Sequence, residues 1–312
     1  MKELISSSAK INFMGKRYLC AVISIICVIW SIWVFISKGD TKYGTDFLGG
    51  HEFLIEFQGD FNSEKIRAGL AAQGLPEVRV QAFQGMKNEY SVRLGESTDP
   101  QIVRTRIETA LKAAFGDVSK IEKTDFVGPT VGKELQRSAI LAIGLGLVGI
   151  MLYIIFRFEF AIGLGSIIAL FHDVIIATGV YLASGHLIGM ATLAGALTII
   201  GYSVNDTVVV FDRVREERKK RKNYNISDVV NEAINFTLSR TIITHMLTLF
   251  SALALYLVGA GDIKDLSLYL VVGIVCGSYS TIFIVAPVVI TWERFKGRDR
   301  VTTIGEAQAK RA

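Results

Sequence analysis

The stretch 199-IIGYSVNDTVVVFDRVREERKKRK-222 begins as an oily run, ends in a block of cations and sets Asn205 and Asp206 inside the oily part. A helix rises 1.5 Å per residue, so the apolar portion carries the carboxylate well into a bilayer. A charge near the bilayer centre costs roughly 2.5 to 3.5 kcal/mol on insertion scales. What Asp206 does in return for that cost decides what the protein is for.

Composition makes the stretch a membrane span. The chain has 312 residues, is 51% hydrophobic, has a mean hydropathy of +0.42 and carries 4 prolines, which suits a polytopic membrane protein better than a soluble enzyme. Six mostly apolar runs are long enough to cross a bilayer as helices: 18–36, 139–156, 160–183, 187–211, 241–260 and 266–291. The first follows Lys16 and Arg17 as a signal peptide would. Its apolar stretch exceeds an ordinary signal core and no small-x-small cleavage site follows, so it is expected to stay as an anchor.

Lys and Arg set the orientation. Lys2, Lys10, Lys16 and Arg17 precede the first span, and Arg157 sits between the second and third. Arg213, Arg215, Arg218, Lys219, Lys220, Arg221 and Lys222 follow the fourth, and Arg294, Lys296, Arg298 and Arg300 follow the sixth. All four segments fall on one side, which the positive-inside rule makes cytoplasmic, whereas the opposite short loops 184–186 and 261–265 hold only Lys264. The plan is a cytoplasmic N-terminus 1–17, an anchor 18–36, an external domain 37–137, a bundle 138–291 with a cytoplasmic loop 212–240, and a basic cytoplasmic tail 292–312. The net charge of +5 is mostly a topology signal, and 218-RKKRK-222 requires no nucleic-acid partner. Cys20, Cys27 and Cys276 all lie inside spans, so no disulfide framework is implied.

The external segment alternates. Phe53, Ile55 and Phe57 read as a strand, Ser63 caps a helix to about 73, and Val78, Val80 and Ala82 alternate again before a turn at 85–88. Tyr90, Val92 and Leu94 form a third strand, and Asp99-Pro100 opens a helix that ends at Gly116. A last strand covers about 118–126. The order β-α-β-β-α-β is that of an α+β ferredoxin-like domain. With one histidine, His51, no cysteine and no diagnostic carboxylate pair, it reads as a binding or force-transmitting module rather than an enzyme, needing neither cofactor nor metal.

Within the spans, 144-GLGLVG-149 matches GxGxxG, but no strand precedes it and no βαβ unit surrounds it. Close helix packing accounts better for it and for Gly273 and Gly277. The ionisable groups stand apart. His172 and Asp173 fall almost at the midpoint of the third span. Asp206 lies about 10 Å cytoplasmic of the middle of the fourth. Arg240 opens the fifth, close enough in depth for its long side chain to reach Asp206, and His245 lies a little deeper on the same helix. Each has an ordinary explanation: a structural polar pair for Asp206, outward snorkelling for Arg240, a packing histidine at His172 and the end of a span at Asp212 and Arg213. A buried carboxylate can also load and release a proton as its water access and its partner change. On that view Asp206, Arg240 and Asp173 form a proton relay, supported by Asn205, His172 and His245. Two membrane carboxylates also suit an intramembrane aspartyl protease, although the YD and GxGD contexts of that class are missing, and the spans alone suit a small-molecule exporter of RND type or a passive scaffold.

The run 201-GYSVNDTVVVFDRVREE-217 resembles the fourth span of the SecF branch of the SecD/SecF family of protein-export membrane subunits. The stretches 46-DFLGG-50, 126-FVGPTVGKEL-135 and 239-SRT-241 agree with it, so the resemblance covers nearly the whole chain. It implies a subunit of the RND superfamily in the bacterial inner membrane, not an enzyme, that uses the proton-motive force to assist secreted polypeptides on the external side. Its implied partners are a SecD-like subunit, the Sec translocon channel, an unfolded translocating polypeptide and membrane lipids. It places Asp206 and Arg240 among the residues thought to relay the proton. His51-Glu52 and His245-Met246 depart from the residues usual in the family.

Overall fold

The computed structural model describes residues 11–82, 88–95, 99–221, 224–259 and 261–296. In chain order its elements are α1 (Arg17–Ser37), α2 (Thr45–Leu48), β1 (Gly50–Phe57), α3 (Ser63–Ala72), β2 (Arg79–Ala82), β3 (Glu89–Leu94), α4 (Pro100–Phe115), β4 (Ser119–Val127), α5 (Pro129–Arg157), α6 (Phe160–Ala183), α7 (Met190–Lys220), α8 (Ile226–Val258), α9 (Asp262–Ser280) and α10 (Ala286–Phe295). A π-helical stretch, Thr281–Val285, joins the last two into one span. The chain divides into two compact units: one holds the residues up to Val34, Gly144–Val180 and the chain from Ala194, the other Phe35–Ile143 and Tyr181–Leu193.

Six helices are long and apolar enough to cross a membrane: Met14–Ser37, Pro129–Ile154, Phe160–Ala183, Met190–Lys220, Ile226–Val258 and Asp262–Phe295. They coincide with the six expected runs but extend beyond several of them. Within the segment 212–240, expected as the cytoplasmic connection, the chain is helical through Lys220 and again from Ile226. Ion pairs carry these extensions out of the apolar zone: Arg157 with Asp212 at 3.1 Å, Arg213 with Glu217 at 2.7 Å, and Arg221 with Glu232. The helix itself continues past Asp212 and Arg213 to Lys220. Asn225 caps α8 through the backbone N–H of Ser227. Two turns on, Asn231 accepts from the N–H of Met14, and Asn235 both accepts from the N–H and donates to the carbonyl of Ile11, tying the chain ahead of α1 to α8.

Small residues permit the closest helix contacts. A Cβ on Gly273 would overlap the Ile199 side chain, and one on Gly277 would touch Ser203, so α9 lies directly on α7. The 144-GLGLVG-149 stretch behaves differently: only Gly146 meets a neighbour, Leu197, while Gly144 and Gly149 face open space.

The other unit holds a four-stranded sheet in the order β2-β3-β1-β4, each neighbouring pair antiparallel. Alternation buries Phe53, Ile55 and Phe57 of β1 with Val92 and Leu94 of β3, and α3 and α4 cover them with Ile66, Leu70, Val103, Ile107 and Leu111. The cap of α3 is Asn62, not Ser63: its side chain accepts from the N–H of Lys65. Asp99 caps α4 through the N–H of Gln101, with Pro100 at the first helical position as expected. The turn expected at 85–88 falls outside the described residues except for Asn88, which has φ 73°. Gly50 explains the glycine pair of 46-DFLGG-50: it has φ 113°, and any Cβ there would strike the Leu94 carbonyl. His51 is buried in the same strand and stacks on Phe126 at 4.4 Å.

Glu52 lies opposite Arg93 in the β1–β3 register and meets its guanidinium at 2.7 Å, and Ser91 and Thr45 each donate to the carboxylate at 2.6 Å. Burial pushes this carboxyl up, but the Arg93 charge and the three hydrogen bonds outweigh it and hold the group below the usual glutamate range. A carboxyl depressed in the folded state stabilises the fold above its unfolded value, about 4.3, and that contribution is lost as pH falls through the lower folded value. Glu52→Gln is therefore expected to cost about 1–2 kcal/mol at neutral pH and to flatten the loss of stability on acidification. Urea unfolding of residues 38–134 at a series of pH values measures both. Equal acid sensitivity in the two proteins would remove Glu52 as the source.

Candidate functional site

Two carboxylates lie buried among the spans. Asp173, in α6, is fully buried. Its Oδ2 accepts from Ser203 of α7 at 2.8 Å and from Ser280 of α9 at 2.7 Å, while Nδ1 of His172 lies 2.9 Å from its Oδ1. The His172 ring also stacks on Tyr279 with centroids 6.0 Å apart. One carboxylate thus ties three helices together. Just beyond, Thr207 and Thr281 are 3.2 Å apart, with Thr281 opening the π-helical stretch. Such stretches recur at functional sites because they re-aim side chains relative to a regular helix.

Asp206 is buried on the neighbouring turn of α7, and His245 of α8 meets it: Nε2 lies 3.1 Å from Oδ2. Nδ1 of His245 lies 2.8 Å from the Thr241 carbonyl, and the Tyr202 ring stands edge-on to the imidazole at 5.2 Å. Tyr202 donates to the Thr244 carbonyl at 3.0 Å, which fixes its own position on α8. Arg240 is exposed and acts on Asp206 through space rather than by contact. The expected Asp206–Arg240 pair is thus not made in this conformation; at the helical pitch, the residue five positions on is the one turned toward α7. Asn205 faces outward, away from the cluster.

The structure therefore brings together Asp206 with His245, and Asp173 with His172, and leaves Arg240 and Asn205 on the outside. Sequence reading passed over the hydroxyls Ser203 and Ser280 that bind Asp173, and the neighbouring pair Thr207 and Thr281. Ser203 and Thr207 are four apart in the same span as Asp206, a same-face spacing that would have drawn attention to them. Among the described residues no cluster of three or more His, Cys, Asp or Glu is placed to hold a metal.

Six apolar helices with two acids buried among them, and a small antiparallel sheet covered by helices, define a multi-pass helical membrane protein. Residues 106–295 match the family described as protein export membrane protein SecD/SecF, C-terminal, and the chain belongs to that family. It is 36% identical over 294 residues to the protein translocase subunit SecF of Calditerrivibrio nitroreducens, covering 92% of this chain and 95% of that one. It is 39% identical over 299 residues to SecF of Rickettsia prowazekii, covering 95% and 94%. Among solved structures it is similar to SecDF of Thermus thermophilus, described as a translocon-associated membrane protein, with a TM-score of 0.84 and 34% identity over 93% of this chain. A SecDF structure in a super-membrane-facing form aligns with a TM-score of 0.68 and 32% identity over 98% of this chain. The chain spans 40% of the length of each SecDF chain. These relatives make it a multi-pass bacterial membrane protein of the Sec protein-export pathway.

Proposed function

We propose that this chain is a SecF-type subunit that uses the proton-motive force to assist translocation of secreted polypeptides on the external side of the membrane. The observation that carries the proposal is Asp206, a buried carboxylate within a membrane helix whose contact across to α8 is a histidine, itself able to exchange protons. Asp206 takes a proton from the external side and passes it inward, with Arg240 as the cation that pairs with it in another state of the cycle and Asp173 as a second relay member. Helix shifts that accompany the exchange move the domain built on β1–β4, which is ferredoxin-like in its βαββαβ order, against an emerging chain. One charge crossing 100 mV is worth roughly 2.3 kcal/mol, enough to bias a two-state equilibrium about fifty-fold.

Both termini and the segment connecting α7 to α8 are cytoplasmic in this proposal, supported by the basic loops. A SecD-like half, whether a separate chain or part of the same one, completes the membrane domain, with the translocon channel nearby. One experiment tests partner and orientation together. A membrane-impermeant amine crosslinker applied to intact cells is expected to capture a SecD-like chain through lysines of residues 38–134, such as the exposed Lys112, and to leave Lys219 and Lys220 unmodified. Capture through Lys220, or recovery of an unrelated small-molecule exporter in place of a SecD-like chain, would refute it.

A further inference from the structure

We infer that Asp206 and His245 share a single proton between Oδ2 and Nε2, so that the two side chains form one acid–base dyad bridging α7 and α8. The Thr241 carbonyl can only accept a hydrogen bond, so at 2.8 Å it requires the hydrogen on Nδ1 of His245. That leaves Nε2 as the atom turned to Asp206, at 3.1 Å from Oδ2. Both atoms are shielded from solvent, and neither makes an aligned hydrogen bond in this conformation, to the other or to any further group. Two polar atoms left unpaired 3.1 Å apart and cut off from water are a standing penalty on both groups, which a small reorientation around a shared proton relieves. One proton removes it, whichever atom carries it.

The proton count also sets the charge. With one proton the pair is neutral overall, as carboxylic acid with imidazole or as carboxylate with imidazolium. With none it is an anion and with two a cation, and both are costly at membrane depth. Transfer within the dyad breaks N–H as O–H forms and moves no net charge in or out. The charged group that acts on Asp206 besides His245 is Arg240, through space, and the Tyr202 ring packs edge-on against the imidazole with its own hydroxyl already donated to the Thr244 carbonyl. Tyr202 therefore holds the ring in place. Because the dyad joins residues of two helices, losing its proton also removes a contact between α7 and α8. This makes His245 the group that hands the proton to and from Asp206, a role that rests on the reading of Asp206 as the coupling carboxylate.

The test uses the full chain in lipid bilayers, labelled with 15N-histidine and followed by solid-state NMR across a pH series. The sequence holds 4 histidines, and His245→Gln identifies the signal of interest by its loss. The Nε2 resonance of His245 is expected between the values for protonated and bare ring nitrogens, and to move to that of an ordinary imidazole in Asp206→Asn. Unchanged His172 signals in the same sample show that the bundle is intact. His245→Gln is further expected to shift the pH profile of gradient-dependent export while leaving expression unchanged. A His245 spectrum and titration indifferent to Asp206→Asn would overturn the dyad. If that variant nonetheless abolishes coupled export, the carboxylate reading stands without the dyad; if the spectrum responds but export is normal, the dyad stands and the coupling role falls.

Discussion

Asp206→Asn is expected to abolish the gradient-dependent part of export while leaving insertion and partner binding intact. Asparagine matches the size and hydrogen-bonding capacity of a neutral carboxylic acid but cannot ionise. It therefore holds α7 in the state equivalent to a protonated Asp206, and the cycle stops. The bias lost is that of one charge moving through the field, roughly fifty-fold at 100 mV. A purely structural role makes the opposite forecast: the amide removes a charge from hydrocarbon and should be tolerated or stabilising. The measurement is export of a slow substrate at matched expression, with and without an uncoupler. Normal, uncoupler-sensitive export by the variant would take Asp206 out of the relay and leave Asp173 as the next carboxylate to test.

Phe57→Ala is expected to destabilise the four-stranded domain by about 3–5 kcal/mol, the usual cost of emptying a buried phenylalanine site. Phe57 is 1% exposed and lies at the centre of an aromatic cluster, with ring centroids 4.9 Å from Phe61, 5.4 Å from Phe115 and 5.6 Å from Tyr90. The cluster is tightly closed: a Cβ on Gly69 of α3 would overlap the Phe115 ring. Small domains have about 5–15 kcal/mol in total, so the loss takes a large part of the margin. Residues 38–134 are expected to fold alone without metal or disulfide, and the variant to melt about 15 °C or more lower by circular dichroism. Ile102→Ala, at a site 60% exposed on α4, should stay within about 0.5 kcal/mol. A disordered wild-type fragment, or a Phe57→Ala melting point within the error of wild type, would contradict the packing described.

The sequence by itself determined the elements and their order. Apolar runs longer than a bilayer is thick admit few structures other than spanning helices, because hydrocarbon leaves backbone groups no other partners. Alternation at Phe53, Ile55 and Phe57 and the Asp99-Pro100 start likewise specify a strand and a helix through local chemistry. Local chemistry also misled at the margins: Asn62 competed with Ser63 for the cap.

Only the tertiary structure decided which polar groups meet. Successive residues on a helix point about 100° apart, so Asn205 and Asp206, adjacent in the oily run, face opposite environments, one outward and one into the bundle. The same rotation turns His245 rather than Arg240 toward Asp206. Depth can be counted along a chain, but azimuth depends on which neighbours a helix packs against. Here it is set by contacts such as Gly273 on Ile199, which bring α7 and α9 together and place Ser203 and Ser280 on either side of Asp173. No periodicity within a single span contains that information.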